Sequence, residues 1–500
     1  MHDLSPYLSE QLTSIWNGIP YFMPEIYLSA LFIIVLITDL LFGKNSEKLC
    51  RIIAFTGILL VAYKDIQQYS LASNEEVQML FNDMLVFNRT SVTFKLLIDC
   101  VSFLLLLYMG WDDKLSAHPK RLSDLYTIVV GSILGLHLMC MSVNLLAIYL
   151  SIEMVSIASY LMAAYRSESK FSAEAGMKYV LFGAAASAIL LYGISLLYGF
   201  TGTLNIALAD FGTQLAMVNT TGIAFAIVLV LVGIGFKLSF VPVHFWVPDV
   251  YEGAPTPVTA YLSTVPKIAA FALLVNFLPS FIFYDKLAVF DFRLVLSVIG
   301  VVTMVAGNFA AVSQNNVKRM LAYSSIGHTG FALMAIVTFS PQGLASLIYY
   351  LAVYALANIA ALVLATYFAN ATGAEKISDY KGLGLKYPVA SVCFVIVLIS
   401  LTGLPVSAGF IGKLFVFSAV YGVYETNHNV WLLILLITGA ITTVVALFYY
   451  IKIPLNLFLK KKDSAIPVEK SLNKVLVFSI IASLVLILLG IFPDYLYNWI

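Results

Sequence analysis

Five ionisable residues of this 500-residue chain lie where charge is expensive. Lys178, Lys237, Lys267 and Lys413, together with Glu153, fall inside long apolar runs that read as membrane spans. A charged side chain at a bilayer centre costs about 2.5–3.5 kcal/mol even on insertion scales. Such a residue therefore faces a protein interior or a water-filled path, and marks a functional site by default. The residue type narrows the chemistry. A lysine amine can gain and lose a proton as its surroundings change, whereas a guanidinium stays charged. Lysine at every deep basic position, with one carboxylate, points to proton relay.

Glu153 sits in LLAIYLSIEMVSIASYL, and Lys237, flanked by apolar and small residues, is its natural partner. Desolvation disfavours an ammonium and an adjacent carboxylate favours it, so a lysine between the two can exchange its proton near neutral pH. The bland alternative is an ion pair that only fixes two helices. Lys178 lies about one turn into its run, where it either tunes the Glu153–Lys237 pair or snorkels towards headgroups. Lys267 follows Pro266 and reads as a mid-path relay; Lys413 reads as a terminal proton donor or acceptor. His244 and His328 join them, because histidine and the hydroxyls of Ser324, Ser325 and Thr329 can order water between lysines. A lone buried histidine is more often hydrogen-bonded scenery, and His137 is read that way. Asp39, Asp99 and Lys95 lie near run ends and read as interface anchors. Histidine pairs at ligand spacing are absent and the four cysteines are far apart, so no metal, cluster or disulfide is expected. There is no phosphate-binding glycine loop, and an ATP-driven pump is not indicated.

The elements that must position these residues are helices in a membrane. The chain is 61% apolar and 11% charged, with mean hydropathy +0.93, whereas a soluble domain carries about 25% charged residues. The net charge of +1 gives no nucleic-acid signal. With about 20 apolar residues per crossing, fourteen spans are expected. They are centred on 25–43, 49–68, 92–111, 122–141, 143–165, 174–200, 222–247, 257–279, 290–312, 317–338, 342–370, 388–422, 430–458 and 473–498. Alternate loops are basic: Lys44, Lys48 and Arg51; Lys114, Lys120 and Arg121; Arg166 and Lys170; Lys318 and Arg319; Lys376, Lys381 and Lys386; and Lys460, Lys461, Lys462, Lys470 and Lys474. The opposite loops hold little beyond Lys64, Arg89 and Lys286. The positive-inside rule places the basic set in the cytoplasm and both termini outside.

Two spans carry proline near a lysine. The seventh reads GIGFKLSFVPVHFWVPD, lysine first; the twelfth reads LTGLPVSAGFIGKLFVF, proline first. These spans run in opposite directions, as two inverted-topology repeats with broken helices would require. Two ordinary proline kinks are the alternative. The expected fold is thus an all-α polytopic membrane protein of about 14 transmembrane helices. Its segments are 1–121 (helices 1–3), 122–280 (first repeat, helices 4–8), 286–460 (second repeat, helices 9–13) and 461–500 (helix 14).

The stretch GFKLSFVPVHFWVPDVYEGAPTPVTAYLSTVPKIAAF resembles the signature of the antiporter-like membrane subunits of respiratory complex I. PDVYEGAPTP with PKIAAF is similar to the subunit N (subunit 2) branch of that family. Val243 departs from its common pattern, which has phenylalanine there. The resemblance implies that Glu153 and Lys237 form an ion pair, that Lys267 is the central lysine and that Lys413 is the lysine of the second broken helix. It also implies a multi-pass subunit of the bacterial inner membrane that translocates protons as part of an NADH–quinone oxidoreductase. No flavin, iron–sulfur cluster or quinone site is then expected in this chain. Those groups would belong to partner subunits, and the partners would include neighbouring antiporter-like subunits and the lipid bilayer.

The rival readings are a subunit of a multi-subunit sodium/proton antiporter or membrane-bound hydrogenase, a stand-alone solute transporter, and a scaffold whose charges only lock helices. Moving one charge against 100 mV costs about 2.3 kcal/mol. A hundredfold change in a lysine's proton affinity is worth about 2.7 kcal/mol, so a relay of this kind is energetically reasonable.

Overall fold

A computed structural model describes residues 5–43, 46–72, 77–118, 122–282, 290–460 and 473–500. Lys44, Lys120, Arg121, Lys286, Lys461, Lys462 and Lys470, and the segment boundaries at 121, 286 and 461, lie outside the described residues. Backbone N–H and C=O groups cannot be left unpaired in hydrocarbon, so apolar runs of this length resolve into helices. After a lead-in helix, Ser5–Gly18, come α1 (Met23–Phe42), α2 (Glu47–Ala72), α3 (Arg89–Met109), α4 (Ser123–Met141), α5 (Leu145–Ala163) and α6 (Lys170–Thr201). The seventh predicted span divides into α7 (Thr220–Leu238) and α8 (Trp246–Gly253). Then follow α9 (Thr256–Phe277), α10 (Phe292–Val312), α11 (Val317–Ile336) and α12 (Pro341–Thr372). The twelfth predicted span divides into α13 (Pro388–Thr402) and α14 (Ala408–Asn427), before α15 (Val430–Tyr450) and α16 (Lys474–Ile491).

Among the described residues, eleven helices are long and apolar enough to cross a membrane. Helices also occupy the other three expected ranges. Of these, α2 carries Lys48, Arg51, Lys64 and Asp65, α11 is rich in hydroxyl and basic residues, and α13 has only 15 residues. The connection before α3 holds a small hairpin, Gln78–Leu80 paired antiparallel with Leu85–Phe87, which the sequence reading did not foresee.

Many helix starts are closed by an asparagine or serine whose side chain accepts a first-turn N–H. Asn88 does this for Ser91, Asn144 for Leu146, Asn316 for Arg319, Ser407 for Phe410 and Asn473 for Leu476. A free N–H at a membrane interface is thereby satisfied without water. Large apolar side chains such as Ile33, Leu60, Leu181, Ile441 and Leu484 remain exposed, as lipid-facing surfaces require.

Helices α1 to α4 pack on one another as a four-helix group. Helix α9 lies at the centre of the molecule, against α3, α4, α7, α11 and α12, and every residue from Pro257 to Leu274 is buried. Pro266 sits inside this helix and has no N–H to give the carbonyl one turn earlier. The Tyr251 hydroxyl supplies the missing donor, to Leu262 O at 2.9 Å. The residue after this local break is Lys267.

Candidate functional site

The first broken span ends α7 at Leu238. Ser239 lies in the left-handed region (φ 63°) and Val241–Pro242 is cis before α8 begins. Lys237 is thus carried on the last turn of a half-helix. Its Nζ is buried and has no hydrogen-bond partner; the rings of Tyr160, Tyr179 and Phe236 stand 5.8–5.9 Å from it. An ammonium over aromatic faces gains cation–π attraction while remaining unpaired. Among the described residues, Glu153 on α5 is the charged group whose field reaches it. Contrary to the expected ion pair, no Glu153–Lys237 contact lies within 4.0 Å among the described residues, and Glu153 Oε1 is also without a partner. Tyr160 Oη and Ser239 Oγ are buried and unpartnered in the same way. Aromatic rings stand around the amine where a carboxylate partner is expected.

Lys178 follows the second of its two readings. It is 37% exposed and belongs to a polar network on the basic-loop side of the protein. Its Nζ lies 2.8 Å from Asp249 Oδ2 and 2.8 Å from Glu174 Oε1, one turn back on α6. Arg319 Nη1 reaches Asp249 Oδ1 at 2.7 Å and Glu252 Oε2 at 2.9 Å. Burial works against the Asp249 charge, but the hydrogen bonds from Lys178 and Arg319 outweigh it and hold this carboxyl below its usual range. Lys178 therefore joins α6 to α8 and α11 at the surface; it does not touch Glu153 or Lys237. On the same side, Lys114 pairs with Glu375.

Lys267 is enclosed, 2% exposed, and is held by neutral oxygens only. Its Nζ donates to Ser325 Oγ at 2.7 Å, Thr329 Oγ1 at 3.0 Å and Ser325 O at 3.1 Å. Thr329 in turn donates to Leu238 O at 2.9 Å, so the broken end of α7 is tied to the central lysine through one hydroxyl. Tyr354 donates to Ser325 Oγ at 2.8 Å from the other side. His328 lies on α11 between these two hydroxyl residues. Its Nδ1 is 2.7 Å from Tyr350 Oη and its Nε2 is 3.4 Å from Tyr450 Oη, which also hydrogen-bonds Ser324.

The second broken span ends α13 at Thr402. Gly403 follows at φ +83°, and a Cβ there would stand 2.7 Å from Lys413 Cδ, so both the backbone and the lysine require glycine. Lys413 folds back from α14. Its Nζ donates to Thr402 O at 2.8 Å and Thr443 Oγ1 at 3.2 Å, and sits 4.4 Å from the Phe331 ring centroid. The ammonium thus caps freed carbonyls at the negative end of a half-helix, where cations are favoured.

Two cavities of about 10 Å³ flank His328. One is lined by Lys267, Thr264 and Thr329, the other by Lys413, Ser400 and Gly409; His328, Tyr350 and Tyr354 line both. Each is close to the smallest volume that accepts a water molecule. Lys267, His328 and Lys413 are therefore brought together as a line, a lysine on either side of one histidine. His244 is not part of it. It lies half-buried in the first break, with Nδ1 unpartnered and its ring against Phe245. Tyr350, Tyr354 and Tyr450, which complete the line, went unremarked in the sequence because buried tyrosine ordinarily reads as packing.

A second polar group lies apart from the lysine line. Lys95 and Asp99, expected as interface anchors, and His137, expected as isolated hydrogen-bonded scenery, are instead fully enclosed together with Glu25 and Asp65 inside the α1–α4 group. Lys95 Nζ is 2.8 Å from Glu25 Oε1 and 2.8 Å from Asp65 Oδ1. The sequence signal was the i, i+4 spacing of Lys95 and Asp99, which puts both on one face of α3. Their partners come singly from other helices.

A bundle of apolar helices, two of them broken, around a line of enclosed lysines defines a polytopic membrane protein with a polar interior. The chain belongs to the NADH:quinone oxidoreductase/Mrp antiporter transmembrane family, which matches residues 142–443. All seven residues singled out for relay from the sequence fall within that match. A relative, NADH-quinone oxidoreductase subunit N 2 of Chloroherpeton thalassium, is 38% identical over 467 residues, covering 92% of this chain and 90% of the relative. A chain of respiratory complex I from Thermus thermophilus superposes with TM-score 0.75 at 26% identity, covering 95% of this chain and 98% of that one. A chain of the Mrp complex from Dietzia sp. DQ12-45-1b shares the fold, with TM-score 0.79 at 20% identity over 96% of each chain.

Proposed function

We propose that this chain is a membrane-arm subunit of a proton-translocating NADH–quinone oxidoreductase, and that protons pass along Lys267, His328 and Lys413. The observation that carries this is the placing of His328 between two water-sized cavities, one on each lysine. The relatives' names give NADH and quinone as the redox pair of the complex; on this reading flavin, iron–sulfur clusters and the quinone site belong to other subunits, which drive this one in a bacterial inner membrane. Lys267 is ringed by hydroxyls and a carbonyl, so it can become neutral without stranding a carboxylate. An ammonium at Lys267 repels a proton arriving at His328 or Lys413, so only one station need be loaded at a time. Glu153 acts on Lys237 through space. The Lys178–Asp249–Arg319 network stands at the basic-loop end of this first half.

The test is proton pumping per electron in membrane vesicles containing the assembled complex. Lys237→Ala and Lys413→Ala are expected to assemble and to lower that ratio. Normal assembly with an unchanged ratio overturns the reading, and loss of assembly in both favours a scaffold. Sodium uptake that replaces proton release would assign the antiporter reading instead.

A further inference from the structure

We propose that α1, α2, α3 and α4 enclose a second ionisable site, separate from the lysine line, that holds an exchangeable proton on its carboxylates. The site comprises Glu25, Asp65, Lys95, Asp99 and His137, all fully buried, with Gln68 Oε1 accepting from Lys95 Nζ at 3.0 Å. It lies wholly outside residues 142–443 and stands whether or not the lysines carry protons.

Two geometric facts require protons there. First, both ring nitrogens of His137 face carboxylates: Nδ1 is 3.1 Å from Glu25 Oε1 and Nε2 is 3.1 Å from Asp99 Oδ1. A neutral imidazole has one N–H and one acceptor nitrogen. Two carboxylate partners are satisfied only if the ring is doubly protonated or one carboxyl carries a proton and donates it. Second, the charges do not balance. Three carboxylates face one ammonium and one imidazole, so even an imidazolium leaves one negative charge in excess. An uncompensated charge enclosed in protein is too costly to persist, and the group neutralises instead. Glu25 Oε2, Asp65 Oδ2 and Asp99 Oδ2 are buried with no hydrogen-bond partner, and offer the positions for that proton.

A metal ion is the other way to balance the site, since ligand atoms of Glu25, Asp65 and His137 lie within 4.8 Å of one another. The Lys95 ammonium already occupies the point between Glu25 and Asp65, at 2.8 Å from each, and a cation would have to displace it. The geometry therefore favours the proton. Cys140, one turn after His137 on α4, adds a buried thiol beside the site, and Asn276 on α9 donates to Cys140 O at 2.8 Å. Cys100 lies beside Asp99 but opens to the lipid side.

The test is infrared difference spectroscopy, H2O against D2O, on the intact membrane complex. The native complex is expected to show a deuterium-sensitive carbonyl band from a protonated carboxyl. That band is expected to be lost in Asp65→Asn or Asp99→Asn and kept in Asp249→Asn, which removes a surface carboxylate. Asp99→Glu keeps a carboxyl and the charge balance, and is expected to retain a band. Identical bands in native, Asp65→Asn and Asp99→Asn, or loss of the band in Asp99→Glu, overturn the proposal. A band that appears only when sodium is removed from the native complex also overturns it, in favour of a bound cation.

Discussion

Lys95 and Lys267 are both fully enclosed, yet their neighbours differ in kind. Lys95 touches two carboxylates and a glutamine, whereas Lys267 touches two hydroxyls and a carbonyl. Removing a proton from Lys95 would leave its cluster more negative still. Removing one from Lys267 leaves only neutral dipoles. One membrane thus holds two uses of the same side chain: a lysine fixed as a counter-charge, and a lysine free to change its charge. What separates them is the type of atom each amine touches, since both are buried.

The sharpest break in this comparison is stability. Lys95→Met strands carboxylates, and breaking a buried pair by removing one partner costs about 3–5 kcal/mol. Assembled complex on native gels is expected to fall steeply, and Lys95→Met with Asp65→Asn to recover part of the loss. Lys267→Met leaves hydroxyls that can turn to other acceptors, and is expected to assemble well. Equal losses in the two single variants would erase the distinction.

Next in size is the second break. Gly403→Ala must hold φ +83° and place a methyl 2.7 Å from Lys413 Cδ. Strain of this kind costs roughly 1–3 kcal/mol. Thermal denaturation is expected to show that loss, with lower proton pumping, because the amine is pushed off Thr402 O. An unaffected complex would mean that Lys413 does not depend on the break.

The smallest expected effect lies at the surface. Asp249→Asn breaks half-exposed pairs with Lys178 and Arg319, which are worth about 0.2–1 kcal/mol. The Asp249 carboxyl is held below its usual range, so its stabilisation is present above the unfolded value near pH 4 and lost as pH falls through the folded one. Denaturation midpoints of native and Asp249→Asn complexes are expected to converge as pH drops below about 4. A gap that widens there would contradict the assignment.

How much was legible follows the same division. Lys237, Lys267 and Lys413 stood out because each interrupts an apolar run by itself, beside a proline that announces a broken helix. The four-helix cluster did not, because Glu25 and Asp65 sit near run ends, where charge is cheap, and only the packing of α1 to α4 brings them to Lys95. Lys178 stayed open between two readings because it lies near the start of a long helix, and of the carboxylates it meets one is 71 residues further on. The pairing of Glu153 with Lys237 follows from residue type and from the family resemblance, and neither reveals the aromatic rings around the amine.

The most direct test of the central claim is the proton-to-electron ratio of vesicles carrying Lys267→Arg. This variant keeps a permanent positive charge at the centre of α9 but cannot release its proton. The account expects an assembled complex that oxidises NADH with fewer protons moved per electron than the native one. A ratio equal to the native value would show that Lys267 serves as a fixed charge, as Lys95 does, and the relay would be contradicted.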